Sequence, residues 1–291
     1  MKKLIFLILG FSIKTFATTA IVSTQLAGQS KQWSAGVQHS VESVPEDFSL
    51  GLSFDFARST QVSNYNTSVN DFTIEKNAIS AGLDLGWDQT LKISFEATSA
   101  GINSREATVL GLKTKLGVVV SDLTLTVGLA DQYLRQLADF KILGSSVQDQ
   151  LTLKMQKQFF AVGYSGFEDV SISLSYDKYT YDRDIQSLNT ILSVKNVLIQ
   201  NGASFLSQIN SLLDHEVSLD LTYALNEDID LDFTVSESVD YLDPYTKSRG
   251  YRAGFTYYFS DFDLSAGASN IRTLDTGDSS FSVDATVAYS F

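Results

Sequence analysis

The sequence predicts an all-β chain that closes into a transmembrane barrel of about twelve antiparallel strands, interrupted by one apolar helical insertion. Three observations carry that expectation. Apolar residues alternate at period two in run after run between Phe48 and Phe291. Tight connectors between those runs alternate with longer polar ones. The face opposite the apolar residues is Ser, Thr, Gly and Asp, with few bulky side chains.

The chain opens "MKKLIFLILGFSIKTFATTA", residues 1–20. Lys2 and Lys3 precede an apolar run from Leu4 to Ile13, and small residues follow at Ala17 and Ala20. A basic end, a short apolar core and a small-residue site are the layout of a secretory signal peptide. The apolar run is about half the ~20 residues a spanning helix needs, so cleavage near Ala17 or Ala20 is expected. The sequence has no cysteine, which removes a lipid-anchored form, disulfides and thiol-ligated metals.

The barrel is read as residues 47–291. "FSLGLSFDF" puts Phe48, Leu50, Leu52, Phe54 and Phe56 on one face and Ser49, Gly51, Ser53 and Asp55 on the other. "ISAGLDLGW" repeats the pattern, and the run from Leu91 to Ala97 follows a short turn. Further strands are read at 110–118, 123–129, 170–176, 217–223, 229–235, 251–259, 262–268 and 281–291. In "LKMQKQFFAVGYS" the parity slips between Met155 and Phe160, which predicts a bulge or a late strand start there. Tight connectors lie near Asp88, Ser121, Phe167, Asn226 and Asp261, and long ones at 59–76, 99–106, 136–150, 241–248 and 273–279. Counting back from Phe291 gives an even strand number from Asp47, as single-chain bacterial barrels require. "KQWSAGVQHS" would add a thirteenth strand and leave the N-terminus outside, so residues 21–46 are expected to be a periplasmic or lumenal segment. A soluble sandwich or lipocalin-like barrel would instead bury its apolar face inside.

The chain ends "VAYSF", with Tyr289 two residues before Phe291. That terminus, with the signal peptide and the strand pattern, resembles Gram-negative outer-membrane β-barrels of porin-like type, although the glycine common earlier in their C-terminal signal is absent. The resemblance implies an outer-membrane location. It also implies engagement of the barrel assembly machinery through Tyr289 and Phe291.

The formal charge is −13, which opposes nucleic-acid binding. With the apolar face toward lipid, the lumen receives Asp55, Asp84, Glu96, Asp177, Asp220, Asp230, Asp232, Asp263 and Asp284. Against them stand Lys92, Lys113, Lys115 and Arg252. Two readings stay open: a water-filled pore favouring cations, and a salt-bridged interior that conducts little. The acidic run around "NEDIDLDFTVSESVD" lacks the glycine and ligand spacing of a calcium loop. The two histidines, His39 and His215, sit in no metal-ligand spacing, and His39-Ser40 matches no outer-membrane phospholipase motif. No enzyme activity, cofactor or metal is expected.

Residues 184–214 break the strand pattern. Leu188, Ile191, Leu192, Leu198, Ile199, Phe205, Leu206, Ile209, Leu212 and Leu213 follow the stripe of an amphipathic helix. Its other face is Ser, Thr, Asn and Gln, and Lys195 is the single charge between Ser187 and Leu213. Such a stripe needs a partner: the lumen, the bilayer interface or a second copy of the chain. A barrel with this insertion resembles ring-forming outer-membrane barrels that enclose lipid, including ones from predatory bacteria. That resemblance implies self-association and bound outer-membrane lipid, and assigns no individual residue. The first functional reading is therefore a non-enzymatic homo-oligomer whose insertion packs against subunits and lipid. The alternative is a passive, cation-preferring channel with an acidic lumen.

Overall fold

A computed structural model describes residues 12–27, 30–44, 48–63, 72–87, 90–102, 107–142, 145–182, 212–241 and 245–290. Among the described residues, fourteen strands follow one another around a closed antiparallel barrel. They are β1 (Ser12–Ala27), β2 (Ser30–Val44), β3 (Phe48–Ser63), β4 (Phe72–Trp87), β5 (Leu91–Ile102), β6 (Ala107–Val120) and β7 (Leu123–Ile142). The second half comprises β8 (Ser145–Tyr164), β9 (Val170–Tyr181), β10 (Leu213–Asn226), β11 (Ile229–Asp240), β12 (Lys247–Tyr258), β13 (Phe262–Thr273) and β14 (Ser279–Ser290). Closure leaves no free edge, so the ladder satisfies the backbone of every strand without water.

The apolar alternation reports the outer face. Phe54, Trp87, Leu110, Leu129 and Phe281 are more than half exposed, with many other large apolar side chains close behind them. In water such a surface would be untenable; against lipid it is the driving force for insertion. Aromatic residues collect at the tight-turn end, where Phe48 meets Trp87, Tyr164 meets Phe167, and Phe259 stacks on Phe262 at 4.1 Å. That is the girdle expected where hydrocarbon gives way to headgroups. At the other end outward-facing ion pairs mark the boundary: Arg58–Glu75 at 3.2 Å and Lys154–Asp131 at 3.7 Å. The β6–β7 turn places Ser121 at a left-handed φ of 54°, as tight two-residue hairpins require.

The strand count differs from the expected twelve. Residues 21–46 are not a separate segment: residues 21–27 form the second part of β1, and all of β2 lies within them. β1 closes the barrel against β14 from Thr19↔Ser290 to Ala27↔Ser282. Its outward positions Val22, Thr24 and Leu26 follow directly on residues assigned to the signal peptide, which left too short a run to read as a wall strand. With both β1 and β2 in the wall, parity is again even and both barrel ends of the chain lie on the tight-turn side.

Two further expectations change. β8 pairs with β7 in unbroken register from Tyr164 to Ser145, with neither a bulge nor a strand start between Met155 and Phe160. What slips there is chemistry: Gln156 and Gln158 face outward near the rim, while Phe159 faces the lumen. The long connectors at 59–76, 99–106 and 136–150 also shorten, because their flanking strands run on. β7 and β8 have 20 residues each, well beyond the ~9–11 that a tilted spanning strand needs. A hairpin that projects past the bilayer has no reason to alternate in hydropathy, so its strands looked like loop.

No helix occurs among the described residues. Residues 184–211 of the expected insertion lie outside them. Leu213 and Asp214, assigned to its end, belong to β10.

Candidate functional site in the barrel lumen

The inward residues of each strand are those between the outward apolar positions, and the register sets which of them meet. Asp55, Asp84, Glu96, Lys113 and Lys115, all expected in the lumen, line one cavity of about 280 Å³. Lys113 and Lys115 also border a second cavity of about 210 Å³ with Lys157 and Phe159. Lys92 on β5 sits beside them, opposite Gly86. On the other side of the barrel, β10 to β14 bring Asp220, Asp230, Asp232, Asp263, Asp284 and Arg252 to the inner face.

The two sides satisfy their charges differently. Between β5 and β9, Lys113 Nζ donates to Glu96 at 3.1 Å and Lys157 pairs with Asp177. The Lys115 ammonium lies 4.9 Å from the Phe159 ring centre, and that of Lys157 lies 5.3 Å from Tyr179, both within cation–π range. On β10 and β11 hydroxyls replace cations. Thr234 donates to Asp220 at 2.7 Å, Thr222 to Asp232 at 2.9 Å and Tyr258 to Asp230 at 2.9 Å. Arg252 takes Asp284, at 2.9 Å. Among the described residues Asp55, Asp84, Asp220, Asp230, Asp232 and Asp263 form no ion pair.

The register adds a feature that hydropathy did not reveal. Lumenal charges repeatedly face a glycine on the next strand: Asp55 faces Gly36, Asp84 faces Gly51, Glu96 faces Gly82 and Lys115 faces Gly128. On the far wall Asp232 faces Gly254, and Asp284 faces Gly267. A Cβ on Gly36 would collide with the Asp55 carboxylate, and one on Gly267 would lie 2.5 Å from Arg252 Nη2. At Gly36, Gly51, Gly128 and Gly267 the missing Cβ thus leaves space along the wall that a neighbouring charged side chain occupies. The sequence shows each glycine, but only strand register shows what it faces.

Lys157, Phe159 and Tyr179 were missing from the expected lumen. Strict parity counted back from Phe160 and Tyr164 would have found the first two; the expected bulge concealed them. The hydroxyl partners Thr222, Thr234 and Tyr258 carry no recognisable motif, because each contact joins neighbouring strands.

The remaining candidates separate clearly. His39 and Ser40 are successive strand residues and point to opposite faces of β2, so the imidazole cannot serve that hydroxyl as a base. Thr18 Oγ1 lies 2.9 Å from His39 Nδ1. His215 Nδ1 lies 2.7 Å from Asp214, whose carboxylate also accepts from Lys178 at 2.6 Å. Asp214 is the extra residue of a β-bulge between Leu213 and His215, which turns it toward both the Lys178 and His215 side chains. No group able to hold a metal occurs among the described residues.

Of the apolar stripe, Leu212 is described: its carbonyl accepts the Tyr241 N–H at 2.9 Å. Leu188, Ile191, Leu192, Leu198, Ile199, Phe205, Leu206 and Ile209 lie outside the described residues. So does Phe291, whereas Tyr289 is outward and about half exposed, opposite Ala20 and Phe262.

No protein-family profile matches the sequence, and no curated protein matches it as a relative. Solved structures do match the fold. OmpT of Vibrio cholerae, expressed in the outer membrane, superposes with a TM-score of 0.53 at 12% identity over 95% of this chain and 97% of that one. A form of OmpT lacking loop L8 gives 0.51 at 11% identity, over 97% and 99% of the two chains. A TodX variant, a monoaromatic hydrocarbon channel, gives 0.50 at 12%, over 94% and 89%. At such identities the likeness concerns architecture, and the architecture is that of the Gram-negative outer-membrane β-barrels.

Proposed function

We propose that this chain is a non-enzymatic outer-membrane channel that passes small solutes and favours cations. The observation that carries this reading is the set of lumenal carboxylates on β10 and β11 held by hydroxyls. A hydroxyl donor fixes a carboxylate without neutralising it, so Asp220, Asp230 and Asp232 keep their charge toward the bore. The facing glycines support an open bore by giving charged side chains room along the wall. A salt-bridged, closed interior would pair these carboxylates with cations.

The test is reconstitution into liposomes and uptake of matched small cationic and anionic dyes. Cation uptake should exceed anion uptake, and the excess should fall in high salt as the carboxylates are screened. Equal exclusion of both dyes would overturn the channel; faster anion entry would overturn its selectivity.

The homo-oligomer reading depends on the stripe from Leu188 to Ile209 and keeps its own test, native mass spectrometry from mild detergent. Two proposals concern biogenesis. Signal cleavage near Ala17 leaves every β1–β14 pair intact, whereas cleavage after Ala20 removes Thr19 and Ala20 from the closure; N-terminal sequencing of the outer-membrane form decides. Engagement of the assembly machinery through Tyr289 and Phe291 predicts that Phe291→Ala lowers the outer-membrane level without changing the folded barrel.

A further inference from the structure

The outward face of β11 to β14 differs from the rest of the lipid-facing wall. At mid-height Ala253 and Ala268 are direct register partners, and their small side chains floor an apolar groove of about 360 Å³. Phe233, Val235, Tyr251 and Phe281 wall it, each more than two-fifths exposed. The groove crosses β11, β12 and β13 to Phe281 of β14, and Tyr251 and Asn270 lie on its border.

The next outward positions beyond Tyr251 and Asn270 form a cationic rim. Lys247, Arg249 and Arg272 share its outward face at the long-connection end, by alternation from Tyr251 and Ala268. Arg249 and Arg272 stand directly opposite each other in the ladder. Like charges in that relation repel. Glu237 answers Arg249 through one Nη2 contact of 2.6 Å, but Arg272 has no ion pair among the described residues. The nearby Asp275 carboxylate accepts the backbone N–H of Lys247 at 3.3 Å. Among the described residues Arg272 thus adds an unpaired cation beside the Arg249–Glu237 pair, at the long-connection end of the face that carries the groove.

We propose that this face binds one phosphate-bearing acylated lipid of the outer leaflet. Its phosphate lies between Arg249 and Arg272, within reach of Lys247, and one acyl chain fills the groove over Ala253 and Ala268. The guanidinium fork suits a phosphate oxygen pair, and a bridging anion turns the repelling arginine pair into a shared clamp. The site is independent of the lumen and of its conductance.

The experiment is native mass spectrometry of the full barrel extracted in mild detergent and supplied with lipid A or its dephosphorylated form. The folded state of each variant is checked by heat-modifiable migration. The wild type should retain lipid A on the order of tenfold more strongly than the dephosphorylated form. Arg272→Gln should abolish that difference, and Ala268→Phe should weaken retention of both forms. Equal retention of the two forms by the wild type, or an undiminished preference in Arg272→Gln, overturns the proposal. Displacement of lipid A by an equal concentration of inorganic phosphate also overturns it, by identifying a free-phosphate site. Arg272 is an exposed surface residue, so its variant decides the headgroup contact even where Ala268→Phe does not fold.

Discussion

The lumen has two walls made by the same rule and finished differently. From β5 to β9, carboxylates meet ammonium groups: Glu96 with Lys113 and Asp177 with Lys157, which also lies over Tyr179, while Lys115 rests on Phe159. From β10 to β11, carboxylates of the same kind meet Thr222, Thr234 and Tyr258. The first wall closes its carboxylates with cations, whereas the second leaves negative charge facing water. The difference teaches that lumenal acidity cannot be judged by counting Asp and Glu. What matters is whether each is closed by a cation or by a neutral donor.

The largest break comes from removing the second wall's charge. The triple variant Asp220→Asn, Asp230→Asn, Asp232→Asn should cut the cation preference several-fold in dye-uptake ratios while the barrel still forms, since asparagine keeps the shape and can still accept the hydroxyl bonds. Next is Gly267→Leu, which fills the space beside Arg252 and Asp284. Overpacking there should cost about 1–3 kcal/mol in urea unfolding and lower uptake of both dyes, as the displaced arginine enters the bore. Lys113→Met sharpens the contrast from the other side. It frees Glu96 and should raise cation preference, at about 0.5 kcal/mol of stability because both partners are more than two-fifths exposed. The smallest effect should come from Arg58→Ala at the outer rim: a stability change within about 0.5 kcal/mol and an unaltered uptake ratio.

The architecture was legible where lipid imposes a period. From Phe48 onward, alternate apolar residues must face hydrocarbon, so wall strands and tight turns could be read directly. Legibility failed where that constraint lapses. β7 and β8 continue past the bilayer, and their outer halves read as loop. β1 overlaps a stretch with signal-peptide chemistry, so its apolar residues had a competing explanation. The lumen was legible in its charges, because parity assigns Asp55 or Lys113 to the inner face. It was not legible in its partners, because Thr234–Asp220 and Gly267–Asp284 join residues far apart in sequence through strand register. Lys157 was lost to a supposed bulge for want of strict counting.

The central claim is that the hydroxyl-held carboxylates keep an open lumen cation-preferring. Single-channel recording in a planar bilayer under a potassium chloride gradient tests it most directly. Steady openings are expected, with a reversal potential that has the sign of potassium selectivity and moves toward zero in the Asp220, Asp230, Asp232 triple variant. Absence of openings, or a reversal potential that the triple variant leaves unchanged, would contradict it.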